Sequence, residues 1–414
     1  MNASPKRWPC GKNVHLQRTC PVCAHDFGVL IHQQRFANLN QHPLANGYNV
    51  VSCVRCGMGF ADTSATQAQY DRFYAEESKY ADPKTSTGSG YSARDLARLR
   101  ETAQCIEGLA SDHDGLIIDI GCAGGGLLQE LKKLGFRNLK GVDPSERCVR
   151  DARQLTGLEI LQGSFSALGK YEESASGIIL SHVLEHVRDF GEVFKAANQY
   201  LKEGGWLYVE VPDASRYAEC LAAPYQDFNT EHINHFTLPS LRNLLGLRGY
   251  EIVESGQKTF EVGPSVNYPA VYCFARKHPQ EYKIVPDKNL KTQLQNYVSK
   301  SEEMMVLLRK SLSKTFAKIS KVLIWGTGQL TLKLLLEPVF QKAKIVAFVD
   351  SSSVQRGRTI MGKPVLSPEQ LDNYPVPILI SSLVNEDSIM ETIRTLRLSH
   401  PVYTLKGGHS KGAL

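Results

Sequence analysis

No run of the 414 residues is apolar over a length that would cross a bilayer, which argues against a helical membrane span. The first residues, MNASPKRWPCGK, lack the apolar centre of a secretion signal, so a cytoplasmic protein is expected. Also missing is a basic block interleaved with aromatics. The net charge of +6, from 48 basic and 42 acidic residues, is spread along the chain, which argues against nucleic acid as a partner. So mild an excess suits solubility, or the attraction of a phosphate-bearing substrate. With secretion set aside, the ten cysteines read as thiols or metal ligands rather than disulfides. What is present is an ordinary globular composition, 42% hydrophobic and 22% charged, and a length that suggests two to four domains.

Cys20-Pro-Val-Cys23 and Cys53-Val-Arg-Cys56 are two C-x-x-C knuckles. Each places two thiolates on one cation, and together they complete a tetrahedron. A structural zinc ion with no open position is expected, with a role in folding rather than catalysis. Gly57-Met-Gly59 follows the second knuckle and supplies a turn that lets amides face sulfur. Cys105, Cys122, Cys148, Cys220 and Cys273 sit in apolar or helical surroundings and read as core. Residues 63–110 read as a helical bridge. Its Gly/Ser-rich stretch DPKTSTGSGY (82–91) is a candidate lid or a plain linker.

Leu116–Ile120 is short, apolar and β-branched, the pattern of a buried strand. The loop GCAGGG follows, then apolar positions at helical spacing over 127–134, with Gly135 as a stop. Strand, glycine loop and helix make the first unit of a doubly wound sheet. The glycines admit a ligand close to the backbone, and the helix start offers free N–H groups. A second strand, in NLKGVDPS, ends in Asp143, which is placed to accept hydrogen bonds from both hydroxyls of a ribose. NAD and S-adenosylmethionine (SAM) both fit that much. Asp119 decides between them. An acid at the strand end suits a ligand with an ammonium group and opposes a pyrophosphate, and the pattern is D-x-G-C-A-G-G rather than G-x-G-x-x-G.

Asp119-Ile-Gly121-Cys-Ala123-Gly-Gly125 resembles the first motif of class I SAM-dependent methyltransferases, with Ala123 where many members have glycine. Asp143 matches their second-strand acid. The resemblance implies an α/β Rossmann-like domain in which Asp119, Gly121, Ala123, Gly125, Asp143, Phe165 and Ser181 hold SAM. Ser164-Phe165 stands where the family's acidic contact to adenine falls, and Phe165 could stack on the base. Two polar clusters follow. Ser181-His182-Val-Leu-Glu185-His186 comes just after the fourth strand, where loops surround the ligand crevice, so His182 is expected near the methyl donor. Glu231-His232-Ile-Asn234-His235-Phe236 offers His232, tuned by Glu231, as a base near neutral pH.

Both clusters, behind a cysteine-rich N-terminus, resemble the sugar C-methyltransferases, which act on nucleotide-linked keto sugars. That family has Tyr-x-Glu-His here, with the histidine as base. Glu231 and His232 match, while Asn229 takes the tyrosine position, which leaves methylation of carbon or oxygen open.

The polar, proline-bearing stretch RKHPQEYKIVPD (276–287) marks a boundary. Leu290, Leu294, Val298, Met305, Leu308, Leu312 and Phe316 then recur near helical spacing. Their irregular heptads suit core packing rather than a coiled-coil dimer. KVLIWGTGQLTLKLLL repeats the order strand, glycine loop, helix, and KIVAFVDSS ends in Asp350. Thr331 falls where a dinucleotide fingerprint would have its third glycine after Gly326 and Gly328, and Trp325 occupies the strand end. This is poor evidence for NAD.

The sugar C-methyltransferases carry a C-terminal Rossmann-like domain after such a helix, with a Trp/Tyr-Gly-x-Gly loop. The resemblance therefore runs along nearly the whole chain. It implies a zinc-ribbon-like module (1–62), the bridge (63–110), a SAM domain (111–275), a linker with a long helix (276–320) and a second Rossmann-like domain (321–408). It further implies SAM and structural Zn2+ as cofactors and a small-molecule acceptor, a nucleotide sugar, with no membrane partner. Two other readings stand beside it. One is a methyltransferase for RNA or a natural-product scaffold, and the other is a non-catalytic nucleotide-sugar binder.

Overall fold

A computed structural model describes residues 11–37, 47–76, 89–165, 174–263, 266–352, 354–407 and 409–410. The candidate lid at 82–91 lies largely outside the described residues. Among those described are three sheets.

The first sheet is antiparallel, in the order β1 (Asn13–His15), β2 (Phe27–Gln34), β3 (Tyr48–Cys53) and β4 (Gly59–Asp62). Both knuckles are turns of this sheet. Cys20 and Cys23 lie between β1 and β2, Cys53 ends β3, and Cys56 sits in the tight turn to β4. A fifth strand arrives from far along the chain. Asn234–His235 pairs antiparallel with β4, Asn234 opposite Phe60 and His235 opposite Gly59. Helices α1 (Gln67–Glu76) and α2 (Ala93–Glu107) lead onward. The Ser92 side chain caps α2 by accepting from the Asp95 amide, and the helix buries Leu99, Ala103 and Ile106.

The second sheet is doubly wound. It contains β5 (Leu116–Ile120), β6 (Leu139–Asp143), β7 (Glu159–Gln162), β8 (Ala175–Ser181) and β9 (Leu201–Pro212), parallel in the spatial order β9-β8-β5-β6-β7. After β10, the Asn234–His235 strand, a long hairpin of β11 (Tyr250–Gly263) and β12 (Val266–Lys277) completes the sheet, with β12 antiparallel to β9. All five residues of β5 are buried at its centre. The chain leaves β5 through α3 (Gly126–Lys133) towards β6, while β8 lies on the other side. The winding direction reverses there, so the ligand crevice falls at the carboxyl ends of β5 and β8.

Helices α4 (Glu146–Thr156), α5 (Phe190–Tyr200) and α6 (Leu238–Leu247) cover the sheet. One face packs Ile117, Ile179 and Tyr208 against Leu99, Leu128 and Leu131. The other packs Ile118, Leu180 and Val209 into one core with Phe190, Phe194 and residues of the cysteine sheet, including Cys20, Cys56 and Met58. Each fully buried large apolar side chain contributes about 1.5–3 kcal/mol. Cys122, Cys148 and Cys273 are buried as expected of core thiols, whereas Cys105 and Cys220 are only half-buried.

The stretch read as a boundary is fastened at several points. Asn243 exchanges two hydrogen bonds with the Val285 backbone, at 2.8 and 2.9 Å, and the Asp287 amide donates to Cys56 O at 3.0 Å. It forms a strap from α6 to the second knuckle. Helix α7 (Leu290–Phe316) follows, with Leu290, Leu294, Tyr297, Met305, Leu308, Leu312 and Phe316 buried in one stripe. The third sheet holds β13 (Lys321–Trp325), β14 (Lys344–Val349), β15 (Thr359–Ile360), β16 (Lys363–Leu366), β17 (Ile378–Ile380), β18 (Val402–Thr404) and β19 (His409–Ser410). Its order is β15-β16-β14-β13-β17-β18-β19, with α8 (Gln329–Leu334) and α9 (Glu386–Thr395) in its connections. The α7 stripe shares a core with Val322, Ile324 and Leu379 of this sheet and with Val50 of the first.

Candidate active site

The first glycine loop is latched to the second strand. The Ala123 amide donates to Asp143 Oδ2 at 2.9 Å, and the Ser145 amide donates to Oδ1 at 2.9 Å. Gly121 and Gly125 have φ of +78° and +80°. A Cβ on Gly121 would meet Val183 Cγ2 at 2.7 Å, and one on Gly125 would meet Ala152 Cβ at 3.0 Å, so both positions require glycine. Ala123 also takes the left-handed region, at φ +45°, which is the physical reason glycine suits that position. Asp119 and Asp143 are both buried. Burial first, and the Asp143 charge second, push Asp119 up to about 7. Burial pushes Asp143 up to about 6 against the two amides that favour its charge. A buried acid at the strand end with no cation beside it among the described residues, next to glycines that leave the backbone open, fits the ammonium group of SAM. Phe165 is half-buried against the core shared by this sheet and the cysteine sheet, and Ser181 ends β8 in register with Glu210.

His182 follows Ser181 with φ +55°. Its Nδ1 lies 3.2 Å from Glu185 Oε1, and its Nε2 lies 3.3 Å from Glu210 Oε1, an ion-pair contact rather than an aligned hydrogen bond. Burial pulls the imidazole down, but Glu185 and Glu210 outweigh it and hold His182 up at about 9. Glu210 is fully buried, and burial alone would raise its pKa. Instead, His182, Lys258 and Tyr208 hold it well below the usual carboxylate range. Tyr208 Oη donates to it at 2.6 Å, Lys258 Nζ at 3.0 Å and Thr102 Oγ1 at 3.2 Å. Clamped between two acids, His182 is a fixed cation at the rim of the crevice.

The two polar clusters are joined through their backbones. The Ile233 amide donates to Glu185 O at 2.8 Å. Asn234 Nδ2 donates to Leu184 O and to Val187 O, both at 2.7 Å, and so fastens the single turn Leu184–His186. The amides of Glu231 and His232 both donate to Asn229 Oδ1, at 2.8 Å each. The His186 and His232 rings meet edge-on with centroids 4.9 Å apart, and His186 Nδ1 lies 3.2 Å from Glu231 O. Polar atoms of Glu185, His186 and His232 lie within 4.8 Å of one another. Within that spacing, His186 Nε2 lies 3.9 Å from Glu185 Oε1, so the carboxylate acts on the two imidazoles through its charge rather than through a shared proton.

Sequence reasoning passed over Glu210, and it placed His186 and Asn234 in the two polar clusters without giving either a role. Glu210 carried a signal, a lone acid in the apolar strand LYVEVP. A charge in a buried strand needs partners.

A second constellation lies in the first sheet. Cys20 Sγ is 3.5 Å from Cys56 Sγ, Cys23 Sγ is 3.5 Å from Cys53 Sγ, and all four sulfurs fall within 4.8 Å of one another. Zinc bound tetrahedrally by sulfur at about 2.3 Å sets the sulfurs about 3.8 Å apart, close to this spacing. The Arg55 amide points at Cys53 Sγ from 3.4 Å. Gly57 has φ +81°, and a Cβ there would collide with Asp287 O at 2.1 Å.

A family model described as a methyltransferase domain matches residues 91–255, and one described as C2185-like, N-terminal, matches residues 318–401. The ubiquinone biosynthesis O-methyltransferase of Caulobacter vibrioides is 30% identical over 172 residues, 38% of this chain and 68% of that protein. The chain belongs to the SAM-dependent methyltransferases. The enzyme of the same name from Bordetella avium is 29% identical over 154 residues, and the match spans 34% of this chain and 59% of that relative's length. Among solved structures, a SAM-dependent methyltransferase from Methanosarcina mazei shares 21% identity at a TM-score of 0.35, covering 41% of this chain and 95% of that one. One from Mesorhizobium loti shares 18% identity at 0.35, covering 43% and 99%. No described helix is long and apolar enough to cross a membrane.

Proposed function

We propose that the chain methylates a nucleotide-activated sugar, on carbon or oxygen, with His232 as the base and Glu231 beside it. The carrying observation is the junction at 229–234. The Glu231–His232 turn is held by Asn229 at 2.8 Å and is tied by Ile233 to the Glu185 turn at the mouth of the SAM crevice. Bound SAM supplies an electrophilic methyl group on a sulfonium. Asp119 holds the ammonium end of the donor, and Asp143 holds its ribose. His232 takes the acceptor's proton as the new bond forms, and the Glu185 carboxylate, within 4.8 Å, offsets the resulting charge. His182, already doubly paired with carboxylates, acts as a fixed positive charge rather than as a second base. Four cysteine thiolates hold a structural zinc ion that shapes the first sheet.

The relatives named above suggest a second reading, O-methylation of a ring hydroxyl on another small molecule. Incubating the enzyme with methyl-labelled SAM and a panel of nucleotide sugars, free sugars and catechols separates the two by mass spectrometry. Label on a nucleotide sugar, lost by at least a hundredfold in His232→Ala with SAM affinity retained, supports the first. Label only on a catechol, or an undiminished rate in His232→Ala, refutes the sugar acceptor or the base, respectively.

A further inference from the structure

The second glycine loop meets the first site through one side chain. Gln329 is the first residue of α8, immediately after Gly326-Thr327-Gly328. Its Nε2 donates to Thr230 Oγ1 at 2.7 Å, and its Oε1 accepts from the Thr230 amide at 3.2 Å. Thr230 is buried and lies between Asn229 and Glu231, inside the turn that presents His232. The contact is therefore a two-point grip on the backbone and side chain of one residue, made across 99 positions of sequence.

The loop behind Gln329 is itself rigidly built. The Thr327 amide donates to Asp350 Oδ2 at 3.1 Å, and the Ser352 amide to Oδ1 at 2.8 Å, which repeats the latch of Ala123 and Ser145 on Asp143. Thr331 Oγ1 donates to Gly326 O at 2.8 Å and lies 2.6 Å from Ser381 Oγ, so the space a third glycine would open is filled. A loop closed in this way holds the start of α8 in one place. Lys333, one turn further along α8, hydrogen-bonds Tyr225 O, which adds a second hold on the same 225–232 segment.

We propose that Gln329 is a positioning residue that sets the register of Glu231 and His232 through its two hydrogen bonds to Thr230. The second Rossmann-like sheet thereby contributes to proton transfer without touching the reacting atoms. This rests on the reading of His232 as the base. A side chain that moves by even 1 Å in such a turn loses alignment with the acceptor, and aligned geometry is worth orders of magnitude in rate.

Two substitutions separate positioning from packing. Gln329→Met keeps the volume and removes both hydrogen bonds. Gln329→Glu keeps an acceptor for the Thr230 amide, and the Thr230 hydroxyl can turn to donate to the other oxygen. The expected result is a fall in kcat of about tenfold in Gln329→Met, with KM for acceptor and affinity for SAM within about twofold of wild type. Gln329→Glu should recover most of that rate. Thr230→Val, which keeps the amide but not the hydroxyl, should fall between them. Wild-type kcat in Gln329→Met overturns the inference, as does loss in Gln329→Glu with none in Gln329→Met, which would be a packing effect. His232→Ala is measured alongside. If it is fully active, the base assignment itself has failed. If it is inactive while all three variants match wild type, only the positioning role is refuted.

Discussion

The Tyr48 hydroxyl donates to Asn229 O at 2.8 Å, across 181 residues of sequence. One end of this bond lies on β3 of the cysteine sheet, and the other on the residue that caps the His232 turn. Loosening the sheet should therefore be felt at the base. Treatment with a strong chelator, or Cys53→Ser, is expected to lower turnover at least tenfold while SAM affinity changes by less than about threefold. Metal content by mass spectrometry should fall from one zinc per chain in parallel. Unchanged turnover in metal-free protein would remove the zinc from the account.

Donor binding should weaken in acid. In the proposed site, Asp119, raised to about 7 by burial and by Asp143, must be ionised to meet the donor's ammonium group. As pH falls below about 7 a growing fraction is neutral, so the dissociation constant for SAM should rise by up to tenfold per pH unit until a second group intervenes. Calorimetry between pH 5.5 and 8.5 measures it. Asp119→Asn should bind weakly at every pH with a flattened profile.

Stability should show the opposite sign on the alkaline side. His182 is held at about 9, above its unfolded value near 6.5. Its ion pairs stabilise the fold fully below about pH 6.5, and that contribution is lost as pH rises through about 9, on the order of 1–3 kcal/mol. Urea midpoints measured from pH 6.5 to 10 should fall, and His182→Gln should start lower and vary less. Glu210, held low, has the reverse dependence, its contribution lost only in strong acid.

Ala123 stands at φ +45°. Ala123→Gly relieves a left-handed alanine but adds freedom to the unfolded chain, and the net gain is expected to be about 0.5–1 kcal/mol. A rise of a few degrees in melting temperature, with the amide bond to Asp143 intact, is the measurable outcome.

The doubly wound sheet was legible because its strands are short apolar runs and its loop is bracketed by Asp119 and Asp143, which local pattern reveals. The partners of Glu210 were not legible, since Thr102, His182 and Lys258 reach it from three separate stretches. Asn229 has a structural role that sequence did not show. It takes the tyrosine position of the Tyr-x-Glu-His pattern, and its carboxamide oxygen accepts from the Glu231 and His232 amides. The strand β10 has two residues and no period to detect. The strap at Val285–Asp287 read as a linker because its composition is polar, and only tertiary partners distinguish a strap from a spacer.

That short strand also constrains how the protein could be rebuilt. Asn234 and His235 supply the edge of the cysteine sheet while Asn234 fastens the Glu185 turn. Swapping the N-terminal segment with that of a cousin would leave a borrowed sheet facing a foreign border strand. A workable chimera must transplant residues 11–62 and 229–236 as a single package, and recombination points that split them should yield inactive hybrids.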